Sequence, residues 1–109
     1  MNELELFIRH CFDRDRVYYT SHSRREMHLE EFGRINELEV FEAISCCELI
    51  ENYADDYPYP SALLLGHTAQ NRPLHVVCAY SETEQLVIIV TVYHPDPERW
   101  EDGFRRRKT

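Results

Sequence analysis

Long apolar segments are missing from this sequence. No uninterrupted run of apolar side chains exceeds five residues, the length of Leu86–Val90, whereas a helix needs about 20 such residues to span a bilayer. The first ten residues, MNELELFIRH, also lack the basic start and the apolar stretch of a signal peptide. Together these absences predict a cytoplasmic protein that does not contact a membrane.

Regular cysteine and histidine spacing is missing too. The sequence contains no CxxC motif, and two of its four cysteines, Cys46 and Cys47, are adjacent. Because a structural zinc site needs regularly spaced ligands, this pattern predicts reduced and mostly buried thiols. The neighbouring carboxylates Asp55 and Asp56 are interpreted as part of a solvated turn. We therefore expect neither a metal ion nor a cofactor.

Positive charge is scarce and unevenly placed. The chain carries 20 acidic and 12 basic side chains, a net charge of −8. Four of the basic residues are Arg105, Arg106, Arg107 and Lys108. Residues 1–104 contain the other eight and all 20 acidic residues, so they carry a net charge of −12. An acidic surface repels phosphate backbones, which argues against broad affinity for nucleic acid. Any nucleic-acid contact is therefore predicted to be local.

The composition nevertheless favours a folded protein. A hydrophobic content of 43% and seven tyrosines are typical of a chain that can form a core. A chain of 109 residues can bury a modest core without disulfides. We predict one domain over residues 1–109, with a helical extension at 1–16 and a tail with a basic end at 94–109.

Three helix starts are predicted from cap residues. Asn2, Ser23 and Asn36 are each followed three positions later by a glutamate, which is the spacing of a capping box. This spacing places helices at about residues 3–14, 24–32 and 37–52. Gly33 fits the end of the second helix because glycine tolerates a left-handed conformation.

The third predicted helix has the clearest apolar face. Its apolar residues recur every three positions and are expected to face the core. These residues are Ile35, Leu38, Phe41, Ile44, Cys47 and Ile50. The same face is widened by Val40, Ala43 and Leu49.

Strands are predicted on both sides of these helices. Three follow the prolines of YPYP, namely SALLLGHT (61–68), PLHVVCAYS (73–81) and QLVIIVTVYH (85–94), and short polar turns join them as antiparallel hairpins. The nearly continuous apolar run of the last one predicts a central strand buried on both faces. A further strand, RVYYTSHS (16–23), precedes the second helix.

The order of these elements is that of an α+β protein. We predict a small, twisted, mostly antiparallel sheet with helices packed on one face, and an extra helix at the N-terminus. Trp100 is predicted to pack the tail onto this sheet.

Five stretches of sequence carry a family resemblance when they are taken together. They are SHSRREMHLEEFGRI, EVFEAI, IENYADDYPYPSALLLG, RPLHVVCAY, and VTVYHPDPERW with FRRRK. This series resembles an uncharacterised DUF family of small prokaryotic proteins that are similar to RelE and BrnT toxins. The resemblance covers about residues 17–108 and leaves the first helix outside. It implies a RelE/BrnT-like fold, with which the predicted element order is compatible.

The resemblance also implies a function. RelE-like toxins are ribonucleases that cut messenger RNA, often on the ribosome, and members of the DUF family often resemble toxins encoded beside a small zinc-finger antitoxin. The expected partners are therefore such an antitoxin and mRNA or the ribosome. The acidic charge differs from the basic charge of typical toxins, so a non-catalytic protein-interaction module of the same fold is the alternative.

Candidate catalytic residues follow from the chemistry of metal-independent RNA cleavage. The reaction needs a base for the 2′-hydroxyl, an acid for the leaving oxygen and cations for the charge on the phosphate. We predict His22 or His75 as proton-transfer groups and Tyr93 as the group that orients the scissile phosphate. The predicted phosphate ligands are Arg105, Arg106, Arg107 and Lys108.

Each of these residues also has a structural interpretation. His75 alternates within an apolar strand, where a hydrogen-bonded core histidine is the commoner outcome. His22 would then brace a helix start, and Tyr93 would be a packing aromatic with a solvated hydroxyl. The basic end of the tail would only increase solubility.

Overall fold

Two of the three predicted capping boxes start helices in the computed structural model, which describes residues 1–109. Helix α1 (Glu3–Asp13) is capped by Asn2, and helix α3 (Glu37–Ser45) is capped by Asn36. In both helices, the side-chain oxygen of the asparagine accepts a hydrogen bond from the backbone amide of the glutamate three residues later. The carboxylate of that glutamate accepts a hydrogen bond from the backbone amide of the asparagine. These reciprocal bonds satisfy backbone donors that have no partner within the helix.

The predicted start of the second helix is wrong. Helix α2 (Ser21–His28) is capped by Thr20, whose side-chain oxygen accepts from the Ser23 amide at 3.0 Å. Ser23 lies buried inside the first turn, and its hydroxyl donates to the Thr20 carbonyl at 2.8 Å. The helix therefore begins about one turn before the predicted position and ends before Gly33.

The predicted length of the third helix is wrong as well. Residues that were assigned to its C-terminal part form strand β2 (Glu48–Tyr53). This strand pairs antiparallel with strand β3 (Ser61–His67), with Glu48 opposite Leu65 and Tyr53 opposite Ser61. Because the pairing partner lies in another part of the chain, a local periodicity could not indicate it.

The predicted core face of α3 is confirmed only in part. Val40, Ala43 and Ile44 are buried, whereas Leu38 and Phe41 remain 64% and 44% exposed. A helix turns by about 100° per residue, so steps of three residues drift steadily around its surface. The three-residue series therefore could not stay on one face.

Replacing Phe41 with alanine is consequently expected to cost about 2 kcal/mol, less than the 3–5 kcal/mol of a fully buried phenylalanine. The remaining cost comes from its contact with Phe12, whose ring centroid lies 6.5 Å away. Urea unfolding followed by circular dichroism would measure the change. Leu38→Ala, at a more exposed position of the same helix, is the control and should cost less than Phe41→Ala.

The sheet has five strands in the order β1-β5-β4-β3-β2. Strand β1 (Val17–Tyr19) pairs parallel with strand β5 (Leu86–Tyr93), and all other pairs, including those of strand β4 (Pro73–Ser81), are antiparallel. The two predicted hairpins are confirmed, and the predicted α+β class is confirmed as a mixed sheet with three helices.

The central, fully buried strand is not the predicted one. Strand β4 occupies the middle of the sheet, and burial alternates along β5, where Val90 is 38% exposed. The strand that is buried on both faces is β3, from Ser61 to Gly66. Its two neighbours in the sheet and the layers above and below it explain this burial.

Those layers are the three helices on one face and the tail on the other. Side chains of all three helices share one apolar core with alternate residues of the strands, among them Leu64, Val76 and Ile89. On the opposite face, the ring of Trp100 packs at 4.4 Å against that of His75, which pairs with Leu65 of β3. None of the helices has the length and apolar character that crossing a membrane would require.

Candidate functional site

Tyr93, at the end of β5, lies where two surface depressions meet. The first, which we name the α2 groove, has a volume of about 450 Å³ and lies between α2 and the end of β5. The second, the tail cleft, has a volume of about 680 Å³ and lies between residues 30–32 and the tail. Tyr93 and Glu30 line both. The remaining residues of the α2 groove are His22, Arg25, Glu26, Leu29 and Val92.

The Tyr93 hydroxyl is held by a buried histidine. His75 is fully buried, and its Nε2 lies 2.8 Å from the carbonyl oxygen of Phe104, which can only accept a hydrogen bond. Nε2 therefore carries the proton of the neutral ring, and Nδ1 accepts from the Tyr93 hydroxyl at 3.1 Å. Both ring nitrogens are satisfied, so His75 fixes Tyr93 from below and does not contact the solvent.

Burial controls the protonation of this pair. Desolvation lowers the pKa of His75 to about 4, and the nearby Arg107 lowers it further, against the opposing hydrogen bond to Phe104. Desolvation also raises the pKa of the Tyr93 phenol above its usual value. At neutral pH, His75 is therefore uncharged and Tyr93 is protonated.

His22 lies in the α2 groove and is exposed. Its Nε2 lies 2.5 Å from Oε1 of Glu26, one turn further along α2, and the other carboxylate oxygen of Glu26 accepts from Thr91 at 3.4 Å. A carboxylate can only accept, so Nε2 carries a proton in this pair, and in the neutral ring Nδ1 is the acceptor. His22 therefore lines the same groove as Tyr93, and His75 does not.

The basic end of the tail is divided between two places. Arg107 and Lys108 line the tail cleft, and Arg105 and Arg106 do not. All three arginines form ion pairs with glutamates of the chain itself, at 2.9 Å for Arg105 and Glu48, 3.1 Å for Arg106 and Glu101, and 3.0 Å for Arg107 and Glu51. Arg107 also stacks over Trp100, 4.8 Å from the ring centroid. The tail is therefore fastened to the sheet.

Two further side chains of the tail cleft, those of His94 and Phe32, were not among the predicted site residues. The ring of His94 stacks on that of Phe32 at 4.8 Å, and its Nδ1 accepts from Nε of Arg72 at 3.3 Å. Arg72 also donates to the carbonyl of Arg34 and pairs with Glu39, so it joins β4 to the start of α3. The position of His94 directly after Tyr93 was the only available signal, because the Arg72 contacts connect distant parts of the chain.

The structure thus brings four predicted site residues together around Tyr93. His75 lies under it, His22 lies in one adjoining depression, and Arg107 and Lys108 line the other. No group of three or more histidine, cysteine, aspartate or glutamate side chains is arranged to hold a metal ion.

Comparisons with known proteins identify one family. The family described as Domain of unknown function (DUF4258) matches residues 19–94, which include His22, His75 and Tyr93 but not the basic end of the tail. Neither the curated proteins nor the solved structures contain a match, so no relative supports the RelE and BrnT part of the predicted resemblance. The match covers more than half of the chain, which therefore belongs to the DUF4258 family.

Proposed function

We propose that this protein is a metal-independent endoribonuclease and the toxin component of a toxin–antitoxin pair. The observation that supports the proposal best is the position of Tyr93. Tyr93 lines both the α2 groove, which contains His22, and the tail cleft, which contains Arg107 and Lys108. An acid, a base and cations are the three elements that cleavage of an RNA phosphodiester requires.

In the proposed reaction, the 2′-oxygen of a ribose attacks the adjacent phosphorus. Nδ1 of His22 takes the proton of the 2′-hydroxyl, and the bond between phosphorus and the 5′-oxygen breaks. The Tyr93 hydroxyl turns its single proton from Nδ1 of His75 to that 5′-oxygen and gives it up. The phenolate then regains a proton from water, and His22 releases its extra proton to water. The products are a 2′,3′-cyclic phosphate and a free 5′-hydroxyl. Arg107 and Lys108 stabilise the charge on the phosphate.

His75 serves this reaction as a positioning residue. It is buried and neutral, so it neither contacts the RNA nor supplies a proton at neutral pH. Its Nδ1 accepts from the Tyr93 hydroxyl and so restrains the phenol of a residue that lines both depressions. A fixed phenol loses less conformational freedom when the phosphate arrives, which favours reaction.

Tyr93→Phe is expected to lower the cleavage rate by about 100-fold, since it removes the acid but keeps the ring. His22→Ala should cause a loss of similar size by removing the base. The measurement is cleavage of a fluorescently labelled single-stranded RNA by the purified protein in the presence of a chelator, with mass spectrometry of the product ends.

His10→Ala is the matched histidine control, because His10 is exposed in the last turn of α1. This variant should cleave RNA at the wild-type rate. Products with 5′-phosphates, wild-type rates for Tyr93→Phe, or no cleavage with and without ribosomes would each contradict the proposed reaction.

The proposed biological setting includes a protein partner. A small zinc-finger-type antitoxin that covers Tyr93 would inhibit the reaction, and mRNA, free or on the ribosome, is the proposed substrate. The cytoplasm, where mRNA is found, is the proposed location.

A non-catalytic interaction module is the second candidate function. It is favoured by the charge around the tail cleft, where Glu30, Glu31, Asp96 and Glu98 lie among the basic residues. It is also favoured by the ion pairs that already occupy Arg105, Arg106 and Arg107. In that case the wild type binds a protein partner and cleaves no RNA.

A further inference from the structure

A second elongated surface lies at the opposite end of the central strand from Tyr93. Two depressions of about 610 and 470 Å³ adjoin there and share two lining residues, Tyr80 and Glu82. The first continues to Tyr59 and Glu84, and the second continues to Glu3. We name this continuous surface the Tyr80 groove. Its length suits an extended segment better than a small molecule.

The charge of the Tyr80 groove has one sign. Glu3, Glu82 and Glu84 line it, and no lysine, arginine or histidine does. None of these three glutamates forms an ion pair with a basic side chain of this chain, in contrast to the glutamates that hold the tail arginines. Three carboxylates without a cationic partner along one groove favour a positively charged occupant.

The walls of the groove are aromatic and apolar. Tyr59 and Pro60 form one end, with the Tyr59 hydroxyl donating to Glu84 at 3.3 Å, and Leu4 and Leu49 form the other end. Tyr57, in the same loop as Tyr59, is 94% exposed. Tyrosine faces beside carboxylates bind guanidinium and ammonium groups, and the leucines accommodate apolar side chains.

From this combination of shape, charge and lining we propose that the Tyr80 groove binds an extended segment of a partner protein in which basic side chains alternate with apolar ones. Nucleic acids and anionic membranes carry the charge that the groove repels. A strand-like segment presents alternate side chains to opposite sides, so one set would contact the carboxylates and the other the two leucines and Pro60.

This site is independent of the proposed ribonuclease site. Tyr80 and His75 lie five positions apart on β4, which separates them by about 17 Å and places them on opposite faces of the sheet. The core on the helix face includes Tyr80, whereas His75 contacts the tail. Occupation of the Tyr80 groove therefore leaves the α2 groove and the tail cleft open.

The experiment uses the full chain and labelled ten-residue peptides in fluorescence anisotropy titrations. The probe alternates arginine and leucine, and the comparison peptide alternates glutamate and leucine. The wild type should bind the arginine peptide saturably and the glutamate peptide not at all. The double variant Glu82→Gln/Glu84→Gln should weaken binding of the arginine peptide by about tenfold, since it removes two of the three carboxylates that would pair with arginine side chains.

A second double variant, Asp13→Asn/Asp102→Asn, makes the same change in net charge at exposed positions outside the groove. Its affinity should stay within about twofold of that of the wild type, because the long-range attraction is screened. Equal weakening by both double variants would mean diffuse attraction to an acidic surface and would overturn the site. Absence of saturable binding, or equal binding of the glutamate peptide, would overturn it as well.

Discussion

Replacing Gly66 with alanine is expected to lower the free energy of unfolding by about 3 kcal/mol or more, the upper range for overpacking in a protein core. Gly66 lies near the end of β3, where α3 crosses the sheet. A Cβ atom at this position would lie 1.9 Å from the carbonyl oxygen of Ala43 and 2.5 Å from its carbonyl carbon. Both atoms belong to the backbone of α3, so no side-chain rotation can relieve the clash.

Relief would require α3 to move away from β3, and this movement would open the core around Ala43 and Ile44. Urea unfolding followed by circular dichroism would measure the loss, with Gly33→Ala as the matched control. Gly33 has a φ of +113° but no atom closer than 3.8 Å to an added Cβ, so its cost comes from backbone strain of about 1–2 kcal/mol. Equal losses for the two variants would contradict the close approach of α3 to β3.

Such contacts mark the limit of what the sequence could predict about the fold. The caps at Asn2 and Asn36 were predictable because a capping box is complete within four residues. The hairpins from β3 to β5 were predictable because short polar turns separate apolar runs. In each case, the information lies within a short stretch of sequence.

Strand β2 was not predictable by the same reasoning. The sequence ELIENY carries apolar residues that continue the spacing of α3, and only the pairing of Glu48–Tyr53 with β3 makes it a strand. Likewise, apolar residues surround α3 on most sides, so the periodicity could not distinguish the buried Val40 from the exposed Leu38. Tertiary contacts decided both cases.

The candidate site, like the fold, was only partly predictable from the sequence. The hairpin of β4 and β5 was predictable, but the register that places Tyr93 opposite His75 was not, because a β-bulge beside Val77 and Cys78 shifts the pairing by one residue. The return of the tail does not follow from any local pattern, because the carbonyl of Phe104 meets His75 across 29 residues and Arg107 meets Glu51 across 56. The sequence could therefore indicate the residues of the site but not that the tail buries one of them.

The burial of His75 leads to the second large expected effect, a loss of stability in acid. The pKa of His75 is about 4 in the folded protein, whereas an unfolded histidine has a pKa of about 6.5. As the pH falls below about 6.5, the unfolded chain takes up a proton that the folded protein does not, so folding becomes less favourable. The loss grows until about pH 4 and then stops, and the difference in pKa corresponds to about 3 kcal/mol.

His75→Gln should remove this dependence, since glutamine does not titrate and still offers an amide donor to the Phe104 carbonyl. The free energy of unfolding, measured in urea from pH 7 to pH 4, should fall by about 3 kcal/mol more for the wild type than for the variant. Subtracting the two curves cancels the carboxylates that titrate in the same range, and His10→Gln, at an exposed histidine, should follow the wild type.

The fluorescence of Trp100 provides a second measurement of the same event, because its ring packs directly against that of His75. Protonation of His75 puts a charge under the tail beside Arg107, and Nδ1 can then no longer accept from Tyr93. The tail of the wild type should therefore leave the sheet at a higher pH than that of His75→Gln. Parallel pH curves for the two proteins, by unfolding and by fluorescence, would contradict the neutral buried His75 and with it the fixed position of Tyr93.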